Sequence, residues 1–220
     1  MKQLKIRDYE IKVFDENAEE NDPVIWIHTF PGEAEKICAQ LKERCVLISV
    51  TGNDWNRDFS PWPADRTFAS GDNFAGGAAV YLELFVKEIV PKAEFLLSYE
   101  VKDRGIAGYS MAGLFASYVM YHTDLFGRAG MMSASFWFDG WKEYALEHNP
   151  QKQDTVMYVS LGSREHKVKN RRMSKVKECT EALVQHWRED FNVLYEINPG
   201  GHFDRVTERT ARGADKLLSL

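Results

Sequence analysis

Cysteine is scarce in this 220-residue chain: Cys38, Cys45 and Cys179 are all it holds, and no two stand in C-x-x-C spacing. An odd, scattered set excludes a disulfide framework and a paired-thiolate zinc site, so the thiols read as reduced packing residues. No stretch approaches the roughly 20 apolar residues needed to cross a bilayer. Positive charge is not in excess either. With a net charge of -5 and a pI near 5.7, the chain has no general electrostatic pull toward nucleic acid or anionic membranes. Residues 1–8 interleave charges with apolar side chains and lack the apolar core of a secretory signal, which leads to the expectation of a cytoplasmic protein. Missing as well are an H-E-x-x-H pair, a P-loop and a G-x-G-x-x-G segment. Asp54, Asn56 and Asp58 alternate as in a calcium loop, but Phe59 stands where that loop needs glycine, so no metal site is read there.

What the chain has is an ordinary globular composition, 44% hydrophobic and 28% charged. At this length one core buries about 70% of the unfolded surface, and a single domain over residues 1–220 is expected. Short apolar runs place strands near 3–14, 23–28, 45–50, 104–109, 128–133, 155–161 and 191–197. Amphipathic spacing places helices near 32–43, 76–90, 111–122, 140–148, 171–189 and 205–219. That alternation implies an α/β fold with a mostly parallel central sheet and helices on both faces, because parallel neighbours need crossover connections. Ligands bind such sheets beyond the carboxyl ends of the strands, which directs attention to the loops there. The loop from Thr51 to about Asn73 is too long for a plain connection.

One of these junctions carries Gly108-Tyr109-Ser110-Met111-Ala112-Gly113, a serine between small residues where a strand gives way to a helix. A serine hydroxyl is a poor nucleophile until a base takes its proton and a sharp turn lifts it clear of the sheet, and small neighbours permit that turn. Of the six histidines, His202 lies in the loop after the last strand, framed by Gly200-Gly201, and is the expected base; His166 is its competitor. Glu165, in the loop after the preceding strand, is the expected orienting acid, with Asp139 as the alternative. The order serine, acid, histidine along the chain is what raises the motif above chance. For an oxyanion hole the N-H of Met111 comes with the turn, and the second donor is sought in Thr29-Phe30-Pro31-Gly32. Pro31 has no N-H, which makes Phe30 the first choice and leaves Thr29 and Gly32 as others. Trp55, Trp62, Trp137 and Trp141 fall in loops at the same edge and are candidates for a substrate pocket, the first three above all. The basic residues between Arg164 and Lys177 read better as a solvated helix face than as an anion site.

With these segments in place the chain resembles the α/β-hydrolase superfamily, and within it the compact esterase group that contains esterase D and the siderophore esterases. The likeness runs over nearly the whole chain. It is carried by Gly105 through Gly113, the aromatic stretch Asp54 through Trp62, Ser135-Phe136-Trp137, Ser160-Leu161-Gly162 leading to Glu165, and Gly200-Gly201-His202-Phe203. Two departures stand out: Ala112 replaces a frequent glycine, and the turn after 23–28 lacks the usual H-G-G type of sequence. The resemblance implies a single-domain α/β-hydrolase fold without a separate cap domain. It further implies cleavage of an ester through an acyl-serine, with no metal or organic cofactor; a small-molecule ester is the expected substrate, and charge and hydropathy lead to neither nucleic acid nor membrane as partner. A thioesterase or acyltransferase on the same three residues, or a non-catalytic binding protein of this fold, are the alternatives.

Overall fold

The computed structural model describes residues 1–16, 18–67, 69 and 71–220; Asn17 of the acidic turn and Phe68 and Ser70 of the long loop lie outside the described residues. The chain opens with a hairpin, β1 (Lys2–Ile6) and β2 (Tyr9–Phe14), where one continuous strand was the expectation. The apolar positions shift phase at the reversal, from Leu4 and Ile6 to Tyr9, Ile11 and Val13, and Arg7, at φ 55°, makes the turn without a glycine. Buried runs then give β3 (Val24–His28) and β4 (Val46–Thr51), separated by α1 (Glu33–Cys38). α1 stops short of the helix expected to residue 43, because the N-H groups of Lys42 and Glu43 both turn to the Asp215 carboxylate, at 2.9 and 3.0 Å.

The long loop folds into α2 (Trp55–Asp58) and a two-stranded ribbon, β5 (Pro63–Ala64) with β6 (Phe74–Ala75). After it, α3 (Ala78–Leu84) passes through a π-helical turn at Phe85–Ile89 into α4 (Val90–Glu94). The remainder alternates as expected: β7 (Arg104–Tyr109), α5 (Met111–His122), β8 (Arg128–Met132), α6 (Trp141–Glu147), β9 (Val156–Gly162), α7 (Val176–Trp187), β10 (Asn192–Asn198) and α8 (Val206–Leu218).

Eight strands form one sheet in the order β1-β2-β4-β3-β7-β8-β9-β10, antiparallel only from β1 to β4 and parallel from there on. α1 and α8 pack together over one face, covering Ile25, Ile27, Leu47 and Tyr158. The other face carries α3, α5, α6 and α7, and α5 is buried from Met111 to Tyr121. A buried helix between sheet and outer helices has little freedom to shift, which fixes the residue just before it. His28 sits in this core. Its Nε2 meets the Tyr81 hydroxyl at 2.7 Å inside a ring of Phe59, Phe85 and Phe115, and burial pushes its pKa down to about 3. A histidine kept neutral in an apolar cage is a packing residue, as its strand position suggested. Among the described residues no helix is long and apolar enough to cross a membrane, and the three cysteines are free thiols.

Candidate active site

β7 ends at Tyr109 and α5 begins at Met111, so Ser110 alone makes the reversal, at φ 59° and ψ -122°. That conformation is strained for a residue with a side chain and persists only where its surroundings over-determine it. Here the Ser110 N-H donates to the Met132 carbonyl at 3.1 Å, and the Ser110 carbonyl accepts the N-H groups of Leu114 and Ser135, both at 3.0 Å. A Cβ on Gly108 would lie 2.4 Å from the carbonyl of Ala112, so only glycine lets the helix start this close to the strand.

The turn aims Ser110 Oγ at His202 Nε2, 3.0 Å away, and His202 Nδ1 meets Glu165 Oε2 at 2.8 Å. The three residues expected to act together are brought together, each from the carboxyl end of a different strand. The competitors are not. Asp139 directs its carboxylate to Arg172 Nε at 3.0 Å, and no hydrogen bond joins His166 to Ser110. Glu165 is buried, and its second oxygen accepts the Gly162 N-H (2.6 Å), the Ser133 hydroxyl (2.6 Å) and Arg209 Nη2 (2.9 Å). Burial alone would raise this carboxyl, but donors from His202, Ser133 and Arg209 outweigh it and bring its pKa down to about 2. Glu165 is therefore ionised beside the imidazole at neutral pH.

Above Ser110 lies a cavity of about 360 Å³, walled largely by apolar side chains that include Trp55, Phe74, Trp137 and Met173. Trp55 and Trp137 thus line it as expected, and Trp55 stacks on Phe30 with ring centroids 4.3 Å apart. Trp62, against expectation, does not line it, and neither does Trp141, buried in α6. The Trp62 ring packs against Phe138, Trp141 and Tyr144, and its Nε1 donates to the Asp139 carbonyl at 2.9 Å, because the β5 end of the loop folds away from the mouth. Met111 heads α5, where a first-turn N-H has no intrahelical acceptor. Of the other oxyanion candidates, Thr29 gives its N-H to the Val50 carbonyl at 3.1 Å, while the Phe30 N-H points to Glu33 Oε2 at 3.0 Å.

The Esterase family, described as "Putative esterase", matches residues 23–204, a span that includes Ser110, Glu165 and His202. The chain belongs to the Esterase family. A relative of known sequence, "Uncharacterized protein YbbA" of Bacillus subtilis (strain 168), is 23% identical over 147 residues, covering 64% of this chain and 59% of that protein. Solved structures share the fold. Siderophore hydrolase EstA from Aspergillus nidulans superposes with a TM-score of 0.71 over 99% of this chain and 93% of its own, at 17% identity. An IroE-like serine hydrolase from Shewanella oneidensis gives 0.75 over 99% and 78%, at 16% identity. The architecture of this Esterase-family chain is accordingly that of the α/β hydrolases.

At the site of this Esterase member two residues, Ser133 and Arg209, escaped the sequence reading, and Ser135 and Tyr109, named there only within motifs, have contacts it did not assign. Ser135 Oγ lies 3.3 Å from Ser110 Oγ, the Tyr109 hydroxyl donates to the His202 carbonyl at 2.5 Å, and Ser133 and Arg209 hold Glu165. Arg209 also donates to the Gly201 carbonyl at 3.0 Å, tying the loops of the acid and the base to one side chain. It lies beyond the span matched by the family, in a helix whose inward face only the packing reveals. A residue the sequence did flag, Gly162, has a second role: a Cβ there would stand 2.6 Å from Glu165 Oε1 and 2.8 Å from the Gly200 carbonyl. Gly162→Ala is expected to destabilise the fold by about 1–3 kcal/mol and to lower esterase activity about tenfold or more by displacing the acid. Thermal melts and p-nitrophenyl butyrate kinetics check it, and a variant matching the wild type in both would show that Glu165 tolerates the shift.

Proposed function

We propose that this protein is a serine esterase that cleaves a small-molecule carboxylic ester through an acyl-enzyme on Ser110. The observation that carries this reading is the unbroken hydrogen-bond chain from Ser110 Oγ through His202 to an ionised, buried Glu165, at the foot of an apolar cavity. In the first step Ser110 Oγ attacks the ester carbonyl while His202 Nε2 takes its proton. Glu165 fixes the Nδ1-H tautomer and stabilises the imidazolium that forms. The Met111 N-H faces the charge that develops on the carbonyl oxygen, and the Phe30 N-H joins it as Glu33 gives way. His202 then protonates the leaving alcohol, and a water molecule activated by the same imidazole releases the acid and restores Ser110.

Family membership and the printed names of the fold relatives, siderophore hydrolase and serine hydrolase, support ester cleavage. A cavity of this size with aromatic walls at Trp55 and Trp137 suits one small acyl or aromatic group. A cytoplasmic setting goes with the three free thiols. The test is stoichiometric labelling with a p-nitrophenyl alkylphosphonate. The expected result is one adduct per chain, mapped to Ser110 by mass spectrometry and absent from Ser110→Ala. A folded protein that takes no adduct would instead be a binding protein on a hydrolase scaffold.

A further inference from the structure

The cavity over Ser110 carries charge of one sign on its wall. Among the described residues that line it, Glu33 and Asp72 bear carboxylates, while no lysine or arginine is present; Arg172 reaches the Phe74 and Trp137 rings of the wall, at 6.0 and 5.6 Å, but is paired with Asp139 at 2.9 Å. Of the two carboxylates, that of Glu33 is the one hydrogen-bonded to a candidate oxyanion donor. Two residues further on, Glu35 is held by Lys12 at 2.7 Å, but Glu33 turns back on the backbone and accepts the Phe30 N-H at 3.0 Å. The turn is reciprocal, since the Glu33 N-H donates to the Phe30 carbonyl at 3.2 Å. The two bonds close a turn just ahead of α1, whose N-cap is Gly32.

The consequence follows from which amide is covered. Thr29 has committed its N-H to Val50 and Pro31 has none, which leaves Phe30, the first choice, and Gly32 as donors for a developing oxyanion, and the Glu33 carboxylate already holds the Phe30 N-H. A carboxylate and an oxyanion cannot share one N-H without repelling each other. A negative group on the substrate near its carbonyl would meet the same repulsion. A positive group would draw the carboxylate off the amide, and the exposed Phe30 ring, stacked on Trp55 beside it, offers the aromatic surface that ammonium groups favour.

We propose that Glu33 sets the charge class of the substrate, favouring esters that carry an ammonium group and disfavouring anionic ones through its hold on the Phe30 N-H. The inference rests on the esterase reading and deepens it. Three p-nitrophenyl esters of matched length test it: the hexanoate, the mono-ester of adipate and the ester of ε-trimethylammoniocaproate. For the wild type kcat/KM is expected to fall from the cationic through the neutral to the anionic ester, by about three- to tenfold at each step. Glu33→Gln, which keeps the turn and loses the charge, brings the three within about twofold of one another. Glu33→Ala, which removes the acceptor, raises turnover of the neutral ester about three- to tenfold. A charge order that persists in Glu33→Gln, or a Glu33→Ala slower than the wild type at an unchanged Tm, overturns the proposal. Ser110→Ala runs beside them: a wild type no faster than it removes the esterase reading and this inference together, whereas an active wild type without a Glu33-dependent order removes only the inference.

Discussion

Ser110→Ala is expected to lose on the order of 10⁴- to 10⁶-fold in kcat toward p-nitrophenyl acetate and butyrate, the largest effect of any single change in this chain. The size follows from the chemistry: without Oγ there is no atom to form the acyl bond, and what survives is the contribution of the oxyanion donors and of binding. The variant keeps its fold. Alanine has the same backbone demands as serine at φ 59°, and the hydrogen bonds that hold this residue run through its N-H and carbonyl, which are untouched. His202→Ala is expected to fall nearly as far, because an unassisted hydroxyl is a poor nucleophile, and Glu165→Gln less far. Ser135, with its Oγ 3.3 Å from that of Ser110, supplies a useful control. Residual turnover in Ser110→Ala that disappears in the double variant with Ser135→Ala would come from the neighbouring hydroxyl and not from solvent. A wild type as slow as Ser110→Ala would end the simple-esterase reading.

Ser110, Glu165 and His202 were legible in the sequence for one physical reason: each stands just past a short apolar run, and in a parallel sheet those loops gather at one edge whatever the details of packing. The alternation of strand and helix was legible on the same ground. What escaped depends on orientation rather than order. Trp55 and Trp62 occupy the same loop, yet α2 turns the first into the cavity and β5 turns the second onto Trp141 and Tyr144, and no periodicity in so short a segment separates them. The Phe30–Glu33 turn precedes a helix whose N-cap, Gly32, has no side chain to advertise it. The hairpin at Arg7 has neither Asn-Gly nor Gly-Gly to mark it. Arg209 reads in sequence as one more charge on an amphipathic helix, and only the packing of α8 over β8 and β9 carries it beneath the site.

Arg209 is where stability and catalysis meet, and Arg209→Leu is the second large effect expected. The guanidinium and the Glu165 carboxylate are both buried, with 5% and 2% of their side chains exposed, and Arg209 adds donors to Ser133 Oγ and to the Gly201 carbonyl. Removing one member of a buried ion pair strands the other, at a loss of about 3–5 kcal/mol. In a chain of 220 residues that lowers Tm by roughly 10 °C. Arg209→Lys recovers part of this, since one ammonium cannot span the acid, Ser133 and Gly201 as a planar fork does. The acid side of the stability curve gives a separate readout. Glu165 titrates near 2 in the folded chain against an ordinary 4.5, so its contribution is complete above about pH 5 and is lost as the pH falls from there through about 2. Without Arg209 the folded carboxyl rises toward its ordinary value, so that contribution shrinks and its loss begins at higher pH. Because the Gly201 carbonyl is freed at the same time, the loop presenting His202 loosens, and kcat is expected to fall by up to about 10²-fold even below the new Tm. Thermal melts from pH 3 to 8 beside p-nitrophenyl butyrate kinetics measure all three quantities. A variant that melts within about 2 °C of the wild type at pH 7 would show that Ser133 and the Gly162 N-H suffice to hold Glu165, and that the guanidinium is not what couples the acid to the base.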